Sequence, residues 1–507
     1  MDEFLSYLLA YSVPIALMFG ALIVIILAMG AAVSWTRYLV FGYLALILIV
    51  PQTSNYGTLT GENLNNVWVK GTKTFFFSFL DMFLFGTWLL GAVFLSRWTK
   101  IKIDDFSSPL AKWYLAYGLL FMGYVIVAMF GADPLLAQFQ PRGVINVIWQ
   151  GMVVTLLAAT IRTEQDLKKV IVILICCLAG REVWGLFRYA FLGGDPQNYY
   201  ANIGFSHVKI TFWDINDSVL ASLMVGLTTW KLLVDRVGGW QRAAYVLMTF
   251  LALLIPVLSS RRTAQGGLLL ALMLLFFLLP RGRRSPVLIA LALAVPLAVT
   301  SLALRSNDGG SKPLLEKILI DIKTDDEHAD SRTSRFYELE TAWKTIKEEP
   351  FFGVGPSGSF KVESRFGLEY HAGKYDFVHS GFGHVLLKTG FVGLTIYIGI
   401  FLTFILQVKK GWKLLLPAYK ALAVGSLCGF VAQLPNIFFG APLIEIRCAL
   451  IGGVLFTIPL ICIAISRREA KEIAKNSLSE PTKSKFFAKT NQLNNGLNRV
   501  KSRSASE

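Results

Sequence analysis

Thirteen runs of this chain are apolar for long enough to approach the width of a bilayer. They lie near 11–34, 38–51, 74–96, 113–131, 143–161, 170–192, 218–234, 243–259, 264–280, 286–304, 386–407, 418–435 and 447–465. About 20 residues at ~1.5 Å rise cover the ~30 Å hydrocarbon core. The chain is therefore expected to be a polytopic membrane protein. A soluble chain of 507 residues would divide into several domains with a more polar surface, whereas here 54% of residues are hydrophobic and 16% charged. The first run follows MDEFLSYLLAYS, which has neither a basic n-region nor a small-residue cleavage site, so it is expected to stay as a helix. The five cysteines (Cys176, Cys177, Cys428, Cys448, Cys462) form no metal or disulfide pattern and read as small buried side chains.

The formal charge of +16 raises nucleic acid as a partner, and its distribution argues against one. Residues from 466 onward hold ten Lys/Arg against four acids, and the other basic clusters are short and flank apolar runs. That pattern is positive-inside charge plus attraction of the basic tail to anionic lipids. SRWTKIK, RTEQDLKK, DRVGGWQR, RGRR, VKKGWK and the tail alternate correctly if all are cytoplasmic. The N-terminus is then outside and the C-terminus inside. The chain divides into transmembrane helices at 1–304, a large outer loop at 305–378, further transmembrane helices at 379–465 and a basic cytoplasmic tail at 466–507, expected to be mostly disordered. All five histidines (His207, His328, His371, His379, His384) fall on or near the outer side. Imidazole titrates near neutrality, so this asymmetry points to function there.

Within the outer loop, KPLLEKILIDIK puts Leu315, Ile318, Leu319 and Ile322 on one helical face, suited to the membrane surface. SRFYELETAWKTIKEEP spaces Phe336, Leu339, Trp343 and Ile346 as a helix, which Pro350 ends before the glycine-rich FFGVGPSGSF.

Charges at membrane depth are costly, ~2.5–3.5 kcal/mol for an Arg at the bilayer centre on insertion scales, so they face a cavity or a partner. Arg261 and Arg262 in LSSRRTAQGG form a break so short that both sit at the outer membrane edge. A cation pair there is misplaced for anchoring, which points to function. Arg181 and Arg188 in AGREVWGLFR lie seven residues apart, on one helical face. Structural pairing and anion binding fit them equally well, with Glu182 as a neutralising partner. Asp81, Asp214 and Asp217 are further counter-ions. Asp214 and Asp217 in TFWDINDSVLAS also suit helix caps, and Asp217 stands with Arg181 and Arg188 as a candidate substrate-binding residue.

Arg332 and Arg335 in DSRTSRFYE share a face beside the positive end of a helix dipole. Their planar forks suit phosphate oxygens, and Arg335 is the stronger candidate. His379, where the outer loop ends next to Ser380, is the better general base. His384 would point about 140° away on a continuous helix and reads as packing. GVGPSG lacks the Lys-Ser/Thr ending of a P-loop and reads as a turn. DDEHAD offers Asp325, Asp326, His328 and Asp330 to a divalent metal, but a solvated acidic run is the simpler reading, and no metal or cofactor is expected.

In this order the pieces resemble the O-antigen ligase/polymerase family of bacterial surface-polysaccharide assembly. FWDINDSVLAS is similar to its Asn-containing helix start. SSRRTAQGG is similar to its Ser-Arg-small motif and places the family arginine on Arg262. SRFYELETAWKTIKEEPFFGVGPSGSF is similar to its Arg…Trp…Pro-x-x-Gly-x-Gly segment, placing the second arginine on Arg335. HSGFGHVLLKTGFVGL is similar to its His-Asn…Gly-hydrophobic-Gly-Leu segment, placing the histidine on His379. The resemblance covers roughly 200–450. Three positions depart from it: Ser380 replaces Asn, Lys388 or Thr389 replaces an acid, and the arginine is doubled at 261–262.

The resemblance implies an all-α, GT-C-like membrane fold of about 12–13 transmembrane helices, with a large periplasmic loop over a lateral cavity, in the bacterial inner membrane. It also implies a donor glycan on undecaprenyl diphosphate. The acceptor is lipid A–core, a growing chain or a protein, so ligase, polymerase and protein O-oligosaccharyltransferase remain open. The expected chemistry is metal-independent inverting transfer, with His379 as base and Arg261, Arg262 and Arg335 neutralising the leaving diphosphate. A transporter using Arg181, Arg188 and Asp81 would require repeated halves, and no internal repeat is visible. A metal-dependent transferase would use DDEHAD.

Overall fold

A computed structural model describes residues 33–50, 79–89, 105–131, 135–140, 143–194, 212, 214–235, 237–259, 261–292, 331–362, 373–440 and 442–479. The runs expected at 11–34 and 286–304 lie largely outside these residues. The 315–322 helix, DDEHAD, His207, His328 and His371 lie wholly outside them.

With no water to serve the backbone inside a bilayer, helices are the natural element. They are α1 (Val33–Ile49), α2 (Phe79–Trp88), α3 (Ser108–Phe130), α4 (Ile145–Thr160), α5 (Glu164–Phe191), α6 (Ile215–Leu233), α7 (Gly239–Leu258) and α8 (Arg262–Leu278). Residues 285–292 add a helical segment. Next come α9 (Ser331–Glu348) and an antiparallel pair, β1 (Phe360–Val362) with β2 (Gly373–Tyr375). The chain then returns through α10 (Gly381–Gly411), α11 (Pro417–Phe439) and α12 (Ile446–Ser479). Among the described residues, α3, α5, α7, α10, α11 and α12 are long and apolar enough to cross a bilayer, with shorter apolar helices at Arg37–Ile49, Ile145–Thr160 and Arg262–Leu278. The protein is an all-α multi-pass membrane protein.

The bundle is built around α6, α11 and α12. Cys448, Leu450, Ile451, Leu455, Leu460 and Ile463 of α12 are completely buried. A helix apolar on every side belongs in the middle of a bundle. Glycines let α6 and α11 approach closely: a Cβ on Gly425 would stand 2.8 Å from the Leu223 carbonyl oxygen. Phe404 packs edge-on against Phe430 and Phe456, with centroids at 4.9 and 4.8 Å, joining α10, α11 and α12. The last helix continues to Ser479, past the expected end of structure at 466. SRREAKEIAK is rich in good helix formers, and a helix already anchored propagates at little cost.

The segment before α10 is fixed by a break in that helix. Gly390 takes φ +59° and ψ −163°, conformations that a side chain resists. The backbone of 350–354 fills the gap: Phe391 N–H donates to the Pro350 carbonyl at 2.8 Å, Val392 N–H to Phe351 at 3.1 Å, and Val354 N–H to Leu387 at 3.0 Å. A Cβ on Gly390 would lie 2.3 Å from the Phe351 carbonyl. The buried Lys388 ammonium donates to the Pro356 and Gly358 carbonyls at 3.0 and 2.6 Å. An acid at 388 would repel those oxygens, which accounts for the lysine there. Tyr124 Oη reaches the Phe352 carbonyl at 2.5 Å, tying the same turn to α3. The glycine-rich FFGVGPSGSF is thus a turn, spliced into the helix that follows His379.

A second device closes α1. The last carbonyls of a helix lack intrahelical donors. Arg447 Nε and Nη2 donate to Ile47 and Leu48 at 3.0 and 2.9 Å, and Arg181 Nη1 donates to Ile49 at 2.6 Å. Arg447 also pairs with Asp214 at 2.5 Å, and Arg181 grips Asp217 through two bonds at 2.8 and 2.5 Å. Asp214 additionally caps α6 through Asn216 N–H at 2.9 Å, so counter-ion and helix cap are one residue. Removing one member of a buried pair strands the others, at ~3–5 kcal/mol. Arg447→Met is expected to destabilise the protein by about that much, read as a lowered thermal midpoint in detergent.

Candidate functional site

α9 turns an unexpected face inward. The stripe Phe336, Leu339 and Trp343 is exposed at 69%, 36% and 41%, and only Ile346 of the expected face is buried. The inward face carries Glu338, Ala342 and Ile346, and the last two pack with Phe360, Val362, Val378 and Leu387. Burying a carboxylate demands compensation. It comes from the residue just before α10: Glu338 accepts the His379 backbone N–H at 3.2 Å, and His379 Nδ1 lies 3.0 Å from Oε2 and 3.3 Å from Oε1. Glu338 is 1% exposed at its side chain and His379 30%. The imidazole is therefore anchored at Nδ1, with part of its surface open. Phe377 meets the ring edge-on at 5.0 Å. Ser380 caps α10 by accepting the Gly383 N–H at 3.2 Å. Serine and asparagine are equivalent N-caps, so the departure at 380 preserves the local geometry.

Arg335 lies one turn before Glu338, and its Nη1 donates to the Phe439 carbonyl at 2.7 Å, at the C-terminus of α11. The corner between α11 and α12 gathers the other elements. Gly381 packs against Ile437 and Pro442, and Asn146 of α4 donates to Leu443 at 2.5 Å. Arg261 acts electrostatically on Glu445 in that corner. Arg261 and Arg262 occupy the N-cap and first position of α8, with Arg262 exposed. Arg335, His379, Arg261 and Arg262 thus come from three elements that meet one corner. Arg332 rides in the first turn of α9, one turn before Arg335.

Other expected residues have other employment. Arg181 and Asp217, expected to touch substrate, are partners of each other, 11% and 2% exposed at their side chains. Glu182 does not neutralise an arginine: it is buried, and neither carboxylate oxygen has a hydrogen-bond partner among the described residues. Arg188 is buried two turns beyond Arg181 on α5. His384 is buried, with Nε2 at 3.1 Å from the Gly143 carbonyl, a packing role as expected. Glu338 was missed because a single acid on a polar helix carries no signal alone. Its spacing of three from Arg335 and the inward histidine were the only hints. Arg447, at the start of the 447–465 run, was legible by the rule that singled out Arg181: a cation at membrane depth.

The fold defines a multi-pass membrane protein, with a hydrogen-bonded His379–Glu338 pair and several arginines at one end of its bundle. Residues 247–398 match the family model described as O-antigen ligase. Over that segment the chain is similar to the O-antigen ligase family. The match includes Arg261, Arg262, Arg335, Glu338 and His379, and excludes Arg181, Asp217 and Arg447. A search of curated proteins finds no match.

Glu445 gives the site a pH signature. Burial and the Asp214 carboxylate push its carboxyl up to about 7, against the pull of Arg261 and Arg447. A carboxyl raised in the folded state contributes its stability fully below the ordinary value of 4.5, and loses it as pH rises through about 7. Glu445→Gln is expected to remove this alkaline loss, flattening the thermal midpoint measured across that window.

Proposed function

We propose that the protein transfers a glycan from an undecaprenyl-diphosphate carrier to lipid A–core on the periplasmic face of the inner membrane, by metal-independent inverting displacement. The observation that carries this reading is the pairing of His379 Nδ1 with the buried Glu338. An ionised Glu338 fixes the Nδ1–H tautomer and leaves Nε2 as the acceptor atom. Nε2 takes the proton from the acceptor hydroxyl as that oxygen attacks the anomeric carbon. The bond from that carbon to the phosphate oxygen breaks, and its electron pair leaves with the lipid diphosphate. The imidazolium formed at His379 is stabilised by the Glu338 carboxylate.

The leaving diphosphate surfaces at headgroup depth, where Arg335, Arg262 and Arg261 supply fixed cations. Charge-assisted contacts from guanidinium groups are strong and directional. Arg335 spends one N–H on the Phe439 carbonyl, which orients its fork and leaves other donors for phosphate. The exposed Phe336, Phe438 and Phe439 give the same region an apolar flank suited to a polyprenyl chain. Arg181, Arg447, Asp214 and Asp217 hold the scaffold beneath. The closed Arg181–Asp217 pair also argues against an ion-permeation path through that helix.

His379→Ala is expected to lower transfer ~10²–10⁴-fold with unchanged membrane insertion, and Glu338→Gln to lower kcat without weakening donor binding. Transfer is measured with isolated lipid-linked donor and acceptor. Full activity of the His379→Ala protein overturns the assignment. Deleting the gene and resolving lipopolysaccharide on a gel separates the acceptors: loss of full-length glycan from lipid A–core marks a ligase, and single repeat units mark a polymerase.

A further inference from the structure

α12 is charged at both ends. Arg447 lies at the site end, and Arg467 about 20 residues later, so ~30 Å of helix separates them, the thickness of the hydrocarbon core. At that far end a cavity of about 230 Å³ opens between the start of α3, the end of α4 and α12. Its cations are Arg162, Arg467, Arg468 and Lys471, and its one acid is Asp105. The rest of the lining is apolar, with Phe106, Ala158, Ile161, Ile461 and Ala464.

The guanidinium groups are held by the protein's own carbonyls. Arg162 Nε donates to Ala159 at 2.6 Å, and Arg468 Nη2 donates to the Arg162 carbonyl at 2.6 Å. Arg467 pairs with the exposed Asp105 at 3.0 Å and stands over the Phe106 ring at 5.9 Å. The forks of Arg467 and Arg468 keep further N–H groups beyond these bonds. Lys471 follows one turn later and is exposed. The outcome is a preset cationic rim over an aliphatic floor, at the depth where one leaflet's phosphates lie.

We propose that this cavity binds the phosphodiester headgroup of an anionic phospholipid, with the glycerol backbone and first acyl carbons on the apolar floor. A soluble phosphate has no use for that floor, and a zwitterionic headgroup brings an amine that the cations repel. Basic pockets between transmembrane helices suit such headgroups. The inference rests only on the chain being a multi-pass membrane protein, not on its chemistry at His379.

The test uses the full chain, reconstituted in vesicles of phosphatidylglycerol and phosphatidylethanolamine, re-extracted in mild detergent and weighed by native mass spectrometry. Wild type is expected to retain phosphatidylglycerol over phosphatidylethanolamine. Lys471→Glu should cut that retention about fivefold or more. Lys409→Glu makes the same charge change on the exposed end of α10 and should leave it unchanged. If Lys471→Glu does not accumulate, Lys471→Gln serves the same comparison. Equal losses in the 471 and 409 variants, or no loss at 471, overturn the proposal. Displacement of the lipid by millimolar inorganic phosphate assigns the cavity to a soluble anion and overturns it as well.

Discussion

The segment between α9 and α10 is held to the bundle by backbone hydrogen bonds made across the break in α10. At Gly390 the helix stops satisfying itself, and Pro350, Phe351 and Val354 take over as partners. Bonds of this kind are worth little in water and much where water is scarce. They hold the turn after α9, and therefore α9 itself, against the first turns of α10. Glu338 meets His379 because of that docking. The short elements β1 and β2 and the small apolar cluster beneath α9 then pack onto a frame already set.

Arginine does two jobs with the same chemistry. Inside the bundle, Arg447 and Arg181 answer the open carbonyls of α1 and the carboxylates of α6. Nearer the surface, Arg335 answers the open end of α11 and keeps donors in reserve. The first group is closed on itself, with Arg447 completely buried. The second group faces outward beside His379.

Much of this was legible from hydropathy and spacing. The helices on either side of Arg261 and Arg262, the helix after Ser331 and the return into the membrane after His379 all follow from residue pattern. So does His384 as the packed histidine of the pair. The inward face of α9 was not legible. Its apolar stripe predicts burial of Phe336, Leu339 and Trp343, whereas the helix buries Glu338 because a partner 41 residues later compensates the charge. Pairings over such distances leave no local period. Arg181 and Asp217 illustrate the opposite limit: sequence finds charges at membrane depth, but only geometry tells which are already satisfied.

The His379–Glu338 pair is assembled from two segments that meet only when α9 docks against the start of α10. A nascent chain still threading into the bilayer owns a histidine without its carboxylate, and a carboxylate without its histidine. The contact between them is therefore latent until the final docking event, and a molecule with a misplaced α9 lacks it.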